Sequence, residues 1–228
     1  MISVVLAAYK GEKYIREQIL SILPQLSEID ELIISDDYPQ GDTFSSVEDI
    51  ISSDRRVKYL HGPGRGLIKN FEFAISEAAG EYIFLSDQDD VWLDGKVNAV
   101  LNEFESGADL VLHNAVITDS DLKPTGVSAF ELNKSRKGIF SNIIKNSYQG
   151  SCMAFRSTLR AHILPFPEKL PMHDQWIGLI GEKYGNVHFL DTPYILYRRH
   201  EGAVSGKGSS LLQKIKWRLN ITECFFRR

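Results

Sequence analysis

The stretch "FLSDQDDVW", Phe84 to Trp92, ends an apolar run in three carboxylates, Asp87, Asp89 and Asp90, within four positions. Like charges this close repel, and each gains solvation only by facing water or a cation. Asp87-Gln88-Asp89 is an Asp-x-Asp triplet. Hard divalent cations such as Mg²⁺ and Mn²⁺ take oxygen ligands and keep water and substrate phosphates in their shell. One or two carboxylates at a strand end, facing a diphosphate, meet that need. The local alternative makes Asp90 a turn residue and Asp94 an N-cap for "GKVNAVLNEF".

Four further groupings could carry chemistry. In "IISDD", Asp36 or Asp37 can accept from the imide N–H of uracil or thymine, or form an ordinary Asx-turn before "YPQGD". "HGPGRGLIKN" sets Gly62, Gly64 and Gly66 around Arg65. It is neither a dinucleotide fingerprint nor a Walker loop, but glycines allow close backbone approach and Arg65 can meet phosphate or base. In "PMHDQWIGL", Asp174 opens a predicted helix, as an N-cap or as a general base for an acceptor hydroxyl. In "YRRHEG", His200 can ligate a metal through a neutral imidazole and Arg198 can pair with a departing diphosphate. Cys152 in "GSCMAF" reads as a small core residue, because no basic partner is visible.

The elements that must position these residues are legible. "ISVVLA" is an apolar, β-branched first strand, and "EKYIREQILSIL" follows with apolar residues at helical spacing. "ELIISDD" is a second strand, "SSVEDIISS" a helix, and "RRVKYLHG" a third strand. "LIKNFEFAISEAAG" is a helix with Gly80 as its C-terminal cap, and "EYIFLS" a fourth strand. Further on, "ADLVLHNAVITD" and "SCMAFR" read as strands around a short helix, "GIFSNIIKN". "DQWIGLIGEKYG" reads as a helix capped by Gly185, and "VHFLDTPYILYRRH" as one or two strands around Pro193. This alternation predicts an α/β protein with a Rossmann-like, mostly parallel central sheet and helices on both faces. Ligands then bind beyond the carboxyl ends of the strands, where Asp36–Asp37 and Asp87–Asp90 share one crevice.

Bulk properties narrow the partners. The chain has 228 residues, 43% of them apolar, and a net charge of −4. That is enough for a sizeable core, and it argues against a nucleic-acid binder with a broad basic face. Two cysteines, Cys152 and Cys224, make no metal spacing or disulfide framework, so a reduced, cytoplasmic setting fits. The N-terminus reads as a strand, not a signal peptide. From Lys207 onward the chain carries six basic residues and one acid, Glu223. Leu211, Leu212, Ile215, Leu219 and Phe226 share one helical face there. This suits a helix lying on the inner face of an anionic membrane or, equally, a terminal helix docked on the domain with a solvated basic face.

Taken together, "VVLAAYKGEKYIREQILSILPQ", "LIISDD", "GLIKNFEFAI", "GEYIFLSDQDDVWLDGKV", "GSCMAFR", "HDQW" and "YRRH" resemble the family 2 glycosyltransferases of GT-A fold. They run in the family's order from residue 2 to about residue 202. "LSDQDDVW" is similar to the rhamnosyltransferase-like branch of bacterial surface polysaccharide synthesis. The resemblance implies that Ala7, Ala8 and Tyr9 wall the nucleobase and that Asp36 or Asp37 reads its polar edge. It also implies that Asp87 and Asp89 are the Asp-x-Asp pair on Mg²⁺ or Mn²⁺, with His200 a further ligand. Asp174 would be the catalytic base, and Arg198 would face the diphosphate. It implies a glycosyltransferase domain over residues 1–205, its nucleotide half 1–106 and its acceptor half 107–205, and a basic helix over 206–228.

The expected reaction is an inverting transfer from dTDP-L-rhamnose or a UDP-hexose to a glycan, on a lipid carrier in view of the basic tail. Two departures stand out. "DDYPQGD" replaces the family's usual Asp-Asp-Gly-Ser, and the chain ends early for this branch. A sugar nucleotidyltransferase would need a Gly-rich, basic loop after the first strand, where "AYKGEKY" has one glycine and Glu12. A catalytically degenerate nucleotide-sugar-binding domain is the non-enzymatic rival, opposed by Asp87, Asp89 and Asp174.

Overall fold

The computed structural model describes residues 1–200 and 210–228. The first strand, β1 (Ile2–Ala8), is buried at every position, and so is β2 (Glu31–Asp36). Full burial is what an apolar run covered on both faces requires. The other strands are β3 (Val57–His61), β4 (Tyr82–Asp87), β5 (Val91–Trp92), β6 (Leu110–Thr118), β7 (Pro124–Ser128), β8 (Met153–Arg156) and β9 (Val187–Arg198). The sheet order is β3-β2-β1-β4-β8-β6-β9-β5, with β7 on β6. β1 to β4 pair in parallel, as do β6 and β9. β8 runs antiparallel between β4 and β6, and β5 is antiparallel to β9.

The helices are α1 (Ile15–Ile22), α2 (Glu48–Ser53), α3 (Leu67–Glu77), α4 (Lys96–Glu105), α5 (Ala129–Asn133), α6 (Ile139–Ile144), α7 (Arg160–Ile163), α8 (His173–Tyr184) and α9 (Leu211–Arg227). Ile15, Ile19 and Ile22 of α1, Phe71 and Ile75 of α3, and Trp176 and Ile180 of α8 are all fully buried. Their three- and four-residue spacing is the amphipathic stripe that holds each helix on the sheet.

Two local expectations change. Gly80 does not cap α3, whose C-cap is Ala78 in extended conformation. Gly80 is needed for close approach instead: a Cβ there would lie 2.6 Å from the Ser3 nitrogen on β1. Asp94 does not cap α4, because Gly95 occupies that position with φ +82°. "VHFLDTPYILYR" is one strand, and its register on β6 shifts between Leu190 and Pro193. A proline lacks the ladder N–H, so it sits where the ladder is already broken.

Register sets the site. Ala8 pairs with Asp36 on one side of β1, and Ala7 with Asp87 on the other. The carboxyl ends of β2, β1 and β4 therefore open on one edge, where the strand order turns back at β1.

Candidate active site

The β1–β2 end forms a cavity of about 600 Å³ lined by Tyr9, Asp37, Tyr38, Gln40 and the loop at Gly62, Gly64 and Gly66. The Tyr9 and Tyr38 rings meet edge-on at 5.6 Å, and the Lys10 ammonium lies 4.8 Å from the Tyr38 ring. The departure "DDYPQGD" thus supplies an aromatic wall. Ala7 and Ala8 are buried in the sheet and fix the strand end from which Tyr9 emerges.

Asp36 and Asp37 separate. Asp36 is fully buried; it accepts from Tyr38 N–H at 2.9 Å, which is the Asx-turn geometry, and from the Tyr59 hydroxyl. Asp37 lines the cavity and accepts from Gly64 N–H at 2.7 Å and Gly66 N–H at 2.6 Å. Both glycines have positive φ, which lets their two N–H groups, separated by one residue, converge on one carboxylate. Arg65 is exposed between them.

At the end of β4, Gln88 is tied to the β1 loop: its Nε2 donates to the Tyr9 carbonyl at 3.1 Å, and Tyr9 N–H donates to its Oε1 at 2.8 Å. Asp89 Oδ2 lies 2.8 Å from His200 Nε2. Asp90 is fully buried and accepts from Arg198 N–H at 3.1 Å; it is no exposed turn residue. Burial pushes the Asp87 carboxyl up to about 7, with the Asp89 and Asp174 charges adding to it. Burial, with the Asp89 and Asp87 charges, raises Asp90 well above the carboxylate range.

Beneath them Lys96 is fully buried, donates to the Ser151 carbonyl at 3.0 Å and lies 3.7 Å from the Trp92 ring. Burial pulls its ammonium down to about 7, against the opposing pull of Cys152, Asp90 and Asp87. Desolvation therefore outweighs this buried lysine, and the cluster has unmet demand for positive charge.

That demand fits Mg²⁺ or Mn²⁺. Among the described residues no three His, Cys, Asp or Glu side chains converge as a closed metal cage. Asp89 and His200 form a two-residue donor pair with Asp87 beside them, and a Mg²⁺ or Mn²⁺ site commonly takes one or two side chains plus phosphate and water.

Arg198 is placed differently from the sequence expectation. It is buried; its Nε donates to the Asp89 carbonyl at 2.8 Å, one terminal nitrogen to the Ser120 carbonyl at 2.7 Å, and the other to Glu17. The guanidinium clamps the backbone of the acidic turn from behind, because three of its nitrogens already hold acceptors, and does not face an open diphosphate path.

Asp174 is the second residue of α8, inside the helix and not its N-cap, which is Met172. Its Oδ1 accepts from Gln175 N–H at 2.5 Å and Asn146 Nδ2 at 3.1 Å. Burial raises it to about 7, near the value that suits a general base at neutral pH. Its charge helps raise Asp87, so the α8 carboxylate lies near the acidic turn. The neighbouring His173 is buried, stacks on Phe71 at 4.1 Å between ring centroids, and among the described residues has no hydrogen-bond partner on either nitrogen. Cys152 is a buried core residue whose thiol burial pushes upward.

Sequence reasoning missed Gln88, Tyr38 and Lys96. Gln88 was the variable position of a triplet and Lys96 a helix residue; only their pairing with residues far along the chain marks them.

A parallel α/β edge carrying an aromatic-walled cavity, an acidic turn and a helix-borne carboxylate defines a GT-A glycosyltransferase architecture. The chain belongs to glycosyl transferase family 2, whose profile matches residues 3–164. The Staphylococcus aureus TarS 1–349 structure in complex with UDP-GlcNAc superposes with a TM-score of 0.70 at 20% identity, over 92% of this chain and 61% of that one. An uncharacterized glycosyltransferase of Haemophilus influenzae is 32% identical over 103 residues, 45% of this chain and 41% of its own length. The Escherichia coli UDP-Glc:alpha-D-GlcNAc-diphosphoundecaprenol beta-1,3-glucosyltransferase WfaP is 26% identical over 90% of this chain and 80% of its own. The chain thus spans 41% of the Haemophilus protein and 61% of the TarS 1–349 chain, less than two thirds of each.

Proposed function

We propose that this chain transfers a sugar from a nucleoside diphosphate donor to a hydroxyl of a lipid-linked glycan in surface polysaccharide synthesis. The observation that supports the reading is the tie between the acidic turn and the Tyr9–Tyr38 cavity through Gln88, with the Asp174 carboxylate near enough to Asp87 for its charge to raise it. Support for the acceptor comes from WfaP and from a Campylobacter jejuni relative, 24% identical over 87% of this chain, named for glucosyl transfer to a diphospho-undecaprenol glycan.

In this reading Tyr9 and Tyr38 stack on the base, and Asp37 presents its edge-reading loop. Asp87, Asp89 and His200 would hold Mg²⁺ or Mn²⁺, which would neutralise charge on the diphosphate. Asp174 takes the proton from the acceptor hydroxyl. That oxygen attacks the anomeric carbon opposite the leaving diphosphate, which inverts the centre. Arg198 and Lys96 hold the acidic turn in place. The donor is a UDP-hexose or dTDP-L-rhamnose.

The nucleotidyltransferase reading loses ground in the β1 loop. Gly11 N–H donates to Thr43 Oγ1 at 3.0 Å and Tyr9 N–H to Gln88, so these donors are already engaged and not aimed at a triphosphate. The test is transfer of labelled sugar from UDP-glucose or dTDP-rhamnose to a diphospho-polyprenol glycan. Product formed by the unaltered chain and lost in Asp174→Asn supports the reading; no product from either donor, with nucleotide still bound, favours the degenerate domain.

A further inference from the structure

The chain carries 26 basic and 30 acidic residues, yet its charges are segregated. Residues 134–145, "KSRKGIFSNIIK", hold four basic side chains and no acid. Residues 210–228 hold five, Lys214, Lys216, Arg218, Arg227 and Arg228, against Glu223 alone. The fold joins these segments. α6 packs on α9, and Arg218 Nε donates to the carbonyl of Ile144 at 2.8 Å.

α9 has two apolar faces. Ile221 and Phe225 are buried against the domain. Leu211, Leu212, Ile215, Leu219 and Phe226 recur at spacings of three, four and seven and share another stripe. Leu219 precedes Ile221 by two positions, about 200° round the helix, so the stripe points away from the core. It is open: Leu212 is 79% and Leu219 66% exposed. Lys214 and Lys216 stand one position either side of Ile215, about 100° round in each direction, so both margins are basic. On α6, Phe140 is 75% and Ile144 60% exposed, on the side to which Arg218 is tied. A run of large apolar side chains rimmed by polar ones marks an interaction site.

We propose that α6 and α9 together form a docking face for an anionic lipid bilayer. The apolar stripe enters the boundary between headgroups and acyl chains, and the basic margins meet the lipid phosphates. Among the described residues, no helix is long and apolar enough to cross a membrane, so the contact lies in the plane of the surface. A second copy of the chain fits this face poorly, because like charges would be set opposite one another. The face also adjoins the chemistry: Asn146, two residues beyond Ile144, holds Asp174 at 3.1 Å. That a lipid-linked acceptor arrives from this side rests on the proposed function; the docking itself does not.

The full chain is sedimented with vesicles of phosphatidylcholine alone and of phosphatidylcholine mixed with phosphatidylglycerol. Binding to the mixed vesicles is expected to be at least about tenfold tighter and to weaken with added salt. The pair Leu212→Glu/Leu219→Glu and, separately, Phe140→Glu/Ile144→Glu each lower it about tenfold or more. All four side chains are exposed, so thermal unfolding and UDP binding stay unchanged. Equal binding to both vesicle types overturns the proposal. So does undiminished binding of the α6 variant, or self-association through these residues in sedimentation velocity. UDP titrated into the same samples reports the nucleotide site separately, so absence of vesicle binding by the unaltered chain with intact UDP binding overturns this face and leaves the proposed nucleotide site standing.

Discussion

The Gln88 side chain and the Tyr9 backbone hold each other by two hydrogen bonds, at 2.8 and 3.1 Å, across 79 residues of sequence. The variable residue of the Asp-x-Asp triplet thus fixes the wall of the nucleotide cavity to the acidic turn. A Cβ at Gly11 would lie 2.4 Å from Gln88 Oε1, so the loop is shaped around this amide. Gln88→Ala removes two bonds of about 1 kcal/mol each. UDP affinity is expected to fall roughly tenfold in calorimetry; unchanged affinity would show that the bridge does not support the site.

Asp37 organises the glycine loop through two N–H bonds. Asp37→Asn loses the charge and turns one acceptor into a donor, at a cost of about 1–3 kcal/mol. Nucleotide binding should weaken tenfold or more while thermal unfolding moves by only a few degrees. A large loss of stability with full nucleotide binding would contradict this division.

Asp174 sits raised to about 7 by burial. Only the carboxylate accepts a proton, so transfer should rise with pH along a limb centred near 7 and level off above it. Asp174→Asn should abolish transfer and leave UDP binding unchanged. A pH profile flat from 5 to 9 would remove this residue from the base role.

His173 is held neutral by burial, its value pulled down to about 3. The unfolded chain takes up a proton near the ordinary histidine value of about 6.5, and the folded chain does not. This contribution to stability is therefore present above about pH 6.5 and is lost progressively as pH falls toward 3. His173→Phe should flatten the decline in thermal midpoint over that window; an equal decline in both proteins would assign it to other groups.

The first half of the fold was legible because its apolar runs are long and end in turns, as in "ISVVLA" and "ELIISD". β8 was legible as a strand in "SCMAFR", but its antiparallel direction was hidden, because that depends on pairing with β4 and β6. In the site, carboxylates announced themselves by clustering. Roles set by burial did not: Arg198 looked like a free cation in "YRRH", and only its three acceptors show it to be a clamp. Tyr38 looked like a disruption of a loop, and the structure makes it a wall. The boundary expected at residue 206 and Lys207 lie outside the described residues.

The β1–β2–β4 edge is read as a metal-assisted nucleotide site. Titrating the protein calorimetrically with UDP and with dTDP, each with and without Mn²⁺, tests it most directly. At least one nucleotide is expected to bind, more tightly with Mn²⁺, and to lose that gain in Asp89→Asn. Absence of binding to both, or binding indifferent to Mn²⁺ and to Asp89→Asn, would contradict it.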